Sequence, residues 1–126
     1  MEEPIMLSRE EPARLDRDRL QELYAELGEG AAENVICRAL EEMAVRLAKV
    51  ERAHRQDDGA ELRRNARSLA AISDPLGMTL LSRVAGDVVR CVEAEDRVAL
   101  AATLARLLRL GECSLLAVWD IRDGPD

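Results

Sequence analysis

Aromatic side chains are almost missing from this chain: one Tyr, one Trp and no Phe, 2% of the residues. A core of stacked rings is therefore excluded, and so is a surface of aromatic platforms for single-stranded nucleic acid. Histidine occurs once, at His54, and no Cys-x-x-Cys pair is present. Cys37, Cys91 and Cys113 are far apart and odd in number, so neither a Cys/His zinc site nor a disulfide framework is expected. With a single His, in Glu51-x-x-His54, the chain cannot supply the two Glu-x-x-His motifs of the di-iron bundle pattern. "GEG" at 28–30 lacks the spacing and the following Lys of a phosphate-binding loop. There is no long apolar run, so membrane insertion is not expected. The N-terminal "MEEPIMLSREEPARLD" has neither the basic nor the apolar region of a signal peptide. Basic charge is also in short supply. The net charge of −7 argues against nucleic acid as a partner, because neutralising phosphates needs a basic surface.

What remains is aliphatic and charged: 48% hydrophobic and 34% charged in 126 residues, enough for one domain built on Leu, Val, Ala, Ile and Met. Apolar residues recur at helical spacing in five segments. The first is "DRDRLQELYAEL", with Leu20, Leu23, Tyr24 and Leu27 on one stripe and Gly28 and Gly30 as its stop. The second spans about Ala31 to Arg55, where Ile36, Leu40, Met43, Leu47 and Val50 alternate steps of four and three. Asp58 and Glu61 then read as a capping box for a third helix lined inside by Leu62, Ala66 and Leu69. That helix should stop at "SDP", with Asp74 capping a fourth helix and Pro75 at its first position. Leu80, Leu81, Val84, Val88 and Cys91 line the fourth. Asp96 caps a fifth carrying Leu100, Leu104, Leu107 and Leu108, with Gly111 a candidate bend before Leu115, Val118 and Trp119. The expected fold is all-α: an up-and-down antiparallel four-helix bundle with an additional short N-terminal helix. Residues 1–14 read as a flexible arm, 15–121 as the bundle and 122–126 as a disordered tail. The thiols are expected to be reduced and mostly buried, in a cytoplasmic protein.

Placing Leu62 at zero on a helical wheel puts Ala66 near 40° and Leu69 near −20°, at about 100° per residue. Arg63, Arg67, Ala71 and Arg64 then fall near 100°, 140°, 180° and 200°. Three guanidiniums thus stand outward on one helix of an acidic chain. A solvated Arg face is one reading. A docking face for an acidic partner is the other, since Arg pairs carboxylates through two donors at once. Ala60 belongs to the same face. His54, outside it, reads as a polar helix terminus or as a titratable acceptor.

In order and distance, the run from "LDRDRLQELYAELGEG" through "DDGAELRRNARSLAAISDPLG" to "SRVAGDVVRCVEAEDRVALAATLARLL" resembles the histidine-containing phosphotransfer domains of bacterial phosphorelays. The resemblance covers about residues 15–110. The family reads Asp-x-x-x-Leu-x-x-x-Ala-His-x-Leu-Lys-Gly-Ser, with a closing Gly. Asp58, Leu62, Ala66, Leu69 and Gly77 match. Arg67 stands where the phosphoacceptor His belongs, and Ala70, Ala71 and Ile72 replace the Lys, Gly and Ser. A guanidinium is permanently protonated and not nucleophilic, so it cannot carry a labile phosphoryl group. His54 lies thirteen residues too early to fill the place. The resemblance implies a non-catalytic relative, without cofactor or metal, that docks a response-regulator receiver domain or hybrid histidine kinase through Arg67, Arg63, Arg64, Ala71 and Ala60. Two alternatives stay open: a structural or dimerisation bundle, and a phosphotransferase that uses His54. A monomer is slightly favoured.

Overall fold

The computed structural model describes residues 15–123, with side chains through Val118. The arm expected over 1–14, the last three residues of the expected tail and the Trp119 side chain lie outside it. Five α-helices and one short 3-10 turn make up the described chain: α1 (Arg17–Leu27), α2 (Glu29–Arg55), α3 (Gly59–Ser73), the 3-10 turn (Asp74–Leu76), α4 (Thr79–Glu93) and α5 (Arg97–Asp123). No strand occurs among the described residues; an isolated antiparallel bridge joins Leu15 to Met78. The fold is all-helical. Helices α2, α3, α4 and α5 each pack on the next, α5 returns to α2, and α1 lies on α2 and the 3-10 turn.

Asp16 caps α1, its carboxylate accepting from the Asp18 N–H at 3.1 Å. Gly28, at φ +84°, ends α1 by donating to the Tyr24 carbonyl, and α2 starts on the next residue. Gly30 is therefore a residue of α2 and not a second stop. Ile36, Met43, Leu47, Val50 and Ala53 bury the inner stripe of α2, with Leu40 packed beside them. Leu62, Ala66 and Leu69 of α3 meet Leu80, Leu81, Val84 and Val88 of α4 and Leu104, Leu107 and Leu110 of α5 in one aliphatic core. Of the stripe expected on α1, Leu20 is buried and Leu27 is exposed.

Several sequence expectations change. The capping box of α3 is half formed. The Asp58 carboxylate accepts from the Glu61 N–H, but the Glu61 carboxylate turns to Asn65 and Arg64, and the Asp58 N–H already bonds the Ala53 carbonyl. Asp74 does not cap α4. It has helical geometry, φ −61° and ψ −49°, donates its N–H to the Ala70 carbonyl, and directs its carboxylate to Arg19 at 3.5 Å. Pro75 instead opens the 3-10 turn, where its missing N–H is harmless. Gly77 follows at φ +80°, its carbonyl accepting from the Asp16 N–H at 2.7 Å. A Cβ there would strike the Asp16 carbonyl, so glycine is required for the chain start to dock. Gly111 does not interrupt α5, which is continuous to Asp123 and so extends two residues into the expected tail. Gly111 is buried against Leu47 of α2, and its missing side chain lets the two helices approach. Cys37 and Cys91 are half-buried, but Cys113 is exposed, on the outer side of α5 beside Glu112, opposite the buried Gly111 and Ser114.

The turns after α2 and α4 are copies of one another. In each, a capping residue (Gln56, Ala94) bonds a carbonyl four residues back, and a residue in left-handed geometry follows (Asp57 at φ +57°, Glu95 at +56°). An aspartate then both closes the turn and caps the next helix (Asp58, Asp96). Arg97 ties the turns together, its Nη2 donating to both oxygens of Asp57 at 3.0 and 3.2 Å. This shared end of the bundle brings the start of α3 beside the end of α4.

Candidate functional site: an arginine groove between α3 and α4

The outer face of α3 and the last turn of α4 enclose an open groove. All five residues of the expected docking face, Ala60, Arg63, Arg64, Arg67 and Ala71, line it. The placement follows from the helix. Leu62, Ala66 and Leu69 are drawn into the core, so the residues on the opposite arc face solvent. The small side chains Gly59, Ala60 and Ala71, with Val92 from α4, leave a shallow floor from which the guanidiniums rise. The Gly59 Cα comes close enough to Val92 that an added Cβ would sit 3.6 Å from its methyl group.

Sequence reasoning did not reveal Glu93. It is the last residue of α4, and the packing of α4 on α3 sets it opposite the Arg pair. Arg63 Nη1 lies 3.0 Å from Glu93 Oε2, and Arg67 Nη2 lies 3.6 Å from the same oxygen. The Arg67 side chain keeps 63% of its surface exposed, comparable to 68% for Arg64. Arg64, which also lines the groove, pairs with Glu61 one helical turn earlier rather than with Glu93.

Behind this face lies a polar network that was also missed. Asn65 is fully buried. Its Nδ2 donates to the Glu61 carbonyl at 2.9 Å and to Glu61 Oε2 at 3.0 Å, while its Oδ1 accepts from Arg46 Nη1 of α2 at 2.8 Å. Arg46 is in turn held by Glu42. The hydrogen bond from Asn65, and then that from Arg64, keeps the Glu61 carboxyl below its usual value, because both stabilise the charged form. A signal existed: Asn65 falls near −60° on the same wheel, at about 100° per residue, within reach of the apolar arc. A polar residue there needs partners, and α2 supplies them.

Ala70 and Ile72 pack against the core, and Ala71 is exposed in the groove. The Ala70 carbonyl accepts from the Ser82 hydroxyl at 3.2 Å, tying α3 to α4. His54 is exposed in the last turn of α2 and does not line the groove. None of the three cysteines lines it either. Among the described residues no group of three or more His, Cys, Asp or Glu side chains is placed to hold a metal ion, and no helix is long and apolar enough to cross a membrane. Chemically, the groove offers two adjacent guanidiniums, one turn apart and sharing a single carboxylate oxygen. That arrangement suits binding of carboxylates or phosphates. A scan against protein-family models, a search of curated proteins and a search of solved structures each return no match.

Proposed function

We propose that this chain is a non-catalytic, cytoplasmic phosphotransfer-like module of two-component signalling. In this reading α2–α5 run alternately up and down as a four-helix bundle with α1 as the extra N-terminal helix. The face of α3 docks the acidic pocket of a response-regulator receiver domain, free or within a hybrid kinase. The observation that carries the reading is Arg67. By the sequence resemblance it takes the position of the phosphoacceptor His; in the structure it is exposed, in a groove it shares with Arg63. A permanent cation there competes for the pocket that a phosphotransfer His would enter, without carrying phosphate. The protein would thereby withhold a receiver from its true donor.

Direct titration of the host's purified receiver domains tests this. Wild type should bind at least one of them, and Arg67→Ala should weaken that binding about tenfold, the scale of an interface Arg. Absence of binding to every receiver, or an Arg67→Ala variant equal to wild type, refutes it. One observation favours a second reading, a dimerisation module: Val98 and Leu116 of α5 are 83% and 62% exposed. They lie eighteen residues apart, which returns to the same side of a helix. Arg109 and Glu112 interrupt the face between them. A monomeric mass by light scattering would dismiss this second reading.

A further inference from the structure

Glu93 is badly placed for a carboxylate unless it has cations beside it. It ends α4, where the helix dipole presents its negative pole and disfavours a further negative charge. Its described ion contacts are Arg63 and Arg67, and both reach the same oxygen, Oε2. The two guanidiniums are neighbours at i and i+4 and would repel each other without an anion between them. All three groups are exposed: 44% for Arg63, 63% for Arg67 and 45% for Glu93. Such contacts are weak and exchange readily with outside groups. The pair therefore needs an anion, has one, and holds it at the mouth of an open groove.

We infer that Glu93 is a displaceable internal counterion, a latch that occupies the Arg63–Arg67 pair until the carboxylates of a docking partner replace it. The inference rests on the receiver-docking reading and adds its regulation. One Glu93 oxygen serves two guanidiniums, whereas a cluster of two or more partner carboxylates supplies enough acceptors for both. Exchange then increases the number of hydrogen bonds on the Arg pair and frees Glu93 to solvent. A partner with a single exposed acidic side chain gains nothing over Glu93 and is rejected. The latch thus sets a threshold that selects concave, multiply acidic pockets. It also keeps the cations from collecting stray anions on a chain of net charge −7.

The test uses the full chain and the host's purified receiver domains, followed by calorimetry at moderate salt. Glu93→Gln should bind about three- to tenfold more tightly than wild type, the factor that releasing exposed ion pairs allows. Arg63→Gln/Arg67→Gln should lose more than tenfold, on the scale of interface Arg side chains. In that double-variant background Glu93→Gln should change affinity less than about twofold, because the coupling has been removed. Thermal melts and a parallel Glu93→Ala variant confirm that the fold is intact. If wild type binds through Arg67 and Glu93→Gln binds no more tightly, the latch is wrong and the docking reading stands. If the gain persists undiminished without the Arg pair, it reflects only the lower net charge, and the latch is again wrong. If neither wild type nor Glu93→Gln binds any receiver, both ideas fail.

Discussion

Gly30→Ala and Gly111→Ala replace interior glycines of two long helices, yet the two substitutions are expected to have opposite signs. At Gly30, in the first turn of α2, an added Cβ meets nothing within 4 Å. Removing backbone freedom from the unfolded chain should then stabilise the protein by about 0.5 kcal/mol. At Gly111 the same Cβ would sit 2.6 Å from Leu47 Cδ1, 2.9 Å from Cδ2 and 3.3 Å from Cγ. Leu47 is 9% exposed and hemmed in by the core, so it cannot simply swing out. The helical preference of Ala over Gly, about 1 kcal/mol, is opposed by overpacking of about 1–3 kcal/mol. The net expectation for Gly111→Ala is a loss of about 0–2 kcal/mol, the difference of those two figures. Truncating the obstacle should reverse the sign. In a Leu47→Ala background, itself destabilised by about 2–4 kcal/mol, Gly111→Ala should stabilise by about 1 kcal/mol. Urea unfolding of the four proteins measures each step and gives the coupling between the sites. If Gly111→Ala stabilises wild type as much as it stabilises Leu47→Ala, then α5 does not touch α2 at this point and the packing argument fails.

Three further expectations concern the supports of the groove. Asn65→Ala should destabilise by about 2 kcal/mol in urea unfolding, because the half-buried Arg46 guanidinium and Glu61 each lose a partner; stability within error of wild type would refute the network. Glu95→Gly should stabilise by roughly 1 kcal/mol by relieving left-handed geometry at a residue with a Cβ, as read from the thermal midpoint. The matching change at Asp57 should gain less, since it also gives up the contact with Arg97. The Glu61 carboxyl has a folded-state pKa below its unfolded one. Its contribution is therefore complete above the unfolded value and is lost as pH falls through the folded value, so Glu61→Gln should lower stability at neutral pH, change it little below the folded value, and thereby flatten the acid side of the stability–pH curve.

The helices were legible because each depends on its own residues. Steps of three and four from Ile36 to Val50, Asp58 before a helical stripe, and Asp96 before Leu100 act within a turn or two of backbone. The outward direction of Arg63, Arg64 and Arg67 followed from the inward direction of Leu62, Ala66 and Leu69, since helical geometry links them. The misreadings arose wherever a residue had two local roles available. Asp74 was competent to cap α4, but Arg19, which α1 brings from 55 residues away, engages its carboxylate. Gly111 was competent to bend α5, but Leu47 fills the space a side chain would occupy and the helix continues past it.

By itself, then, the sequence determined an aliphatic all-helical chain, the caps Asp58 and Asp96, and an exposed Arg67 with Arg63 beside it. Short-range backbone geometry suffices for all of these. Only the tertiary structure decided what the arginines face. Glu93 is 26 residues beyond Arg67, on another helix, and nothing in its neighbourhood along the chain marks it. Packing of α4 on α3 brings it within 3.6 Å. The same packing of α2 on α3 gives the buried Asn65 its Arg46. A charge acts over a few ångströms in space whatever its distance along the chain, so the partners of an ionic site emerge only when the core has set which helices are neighbours.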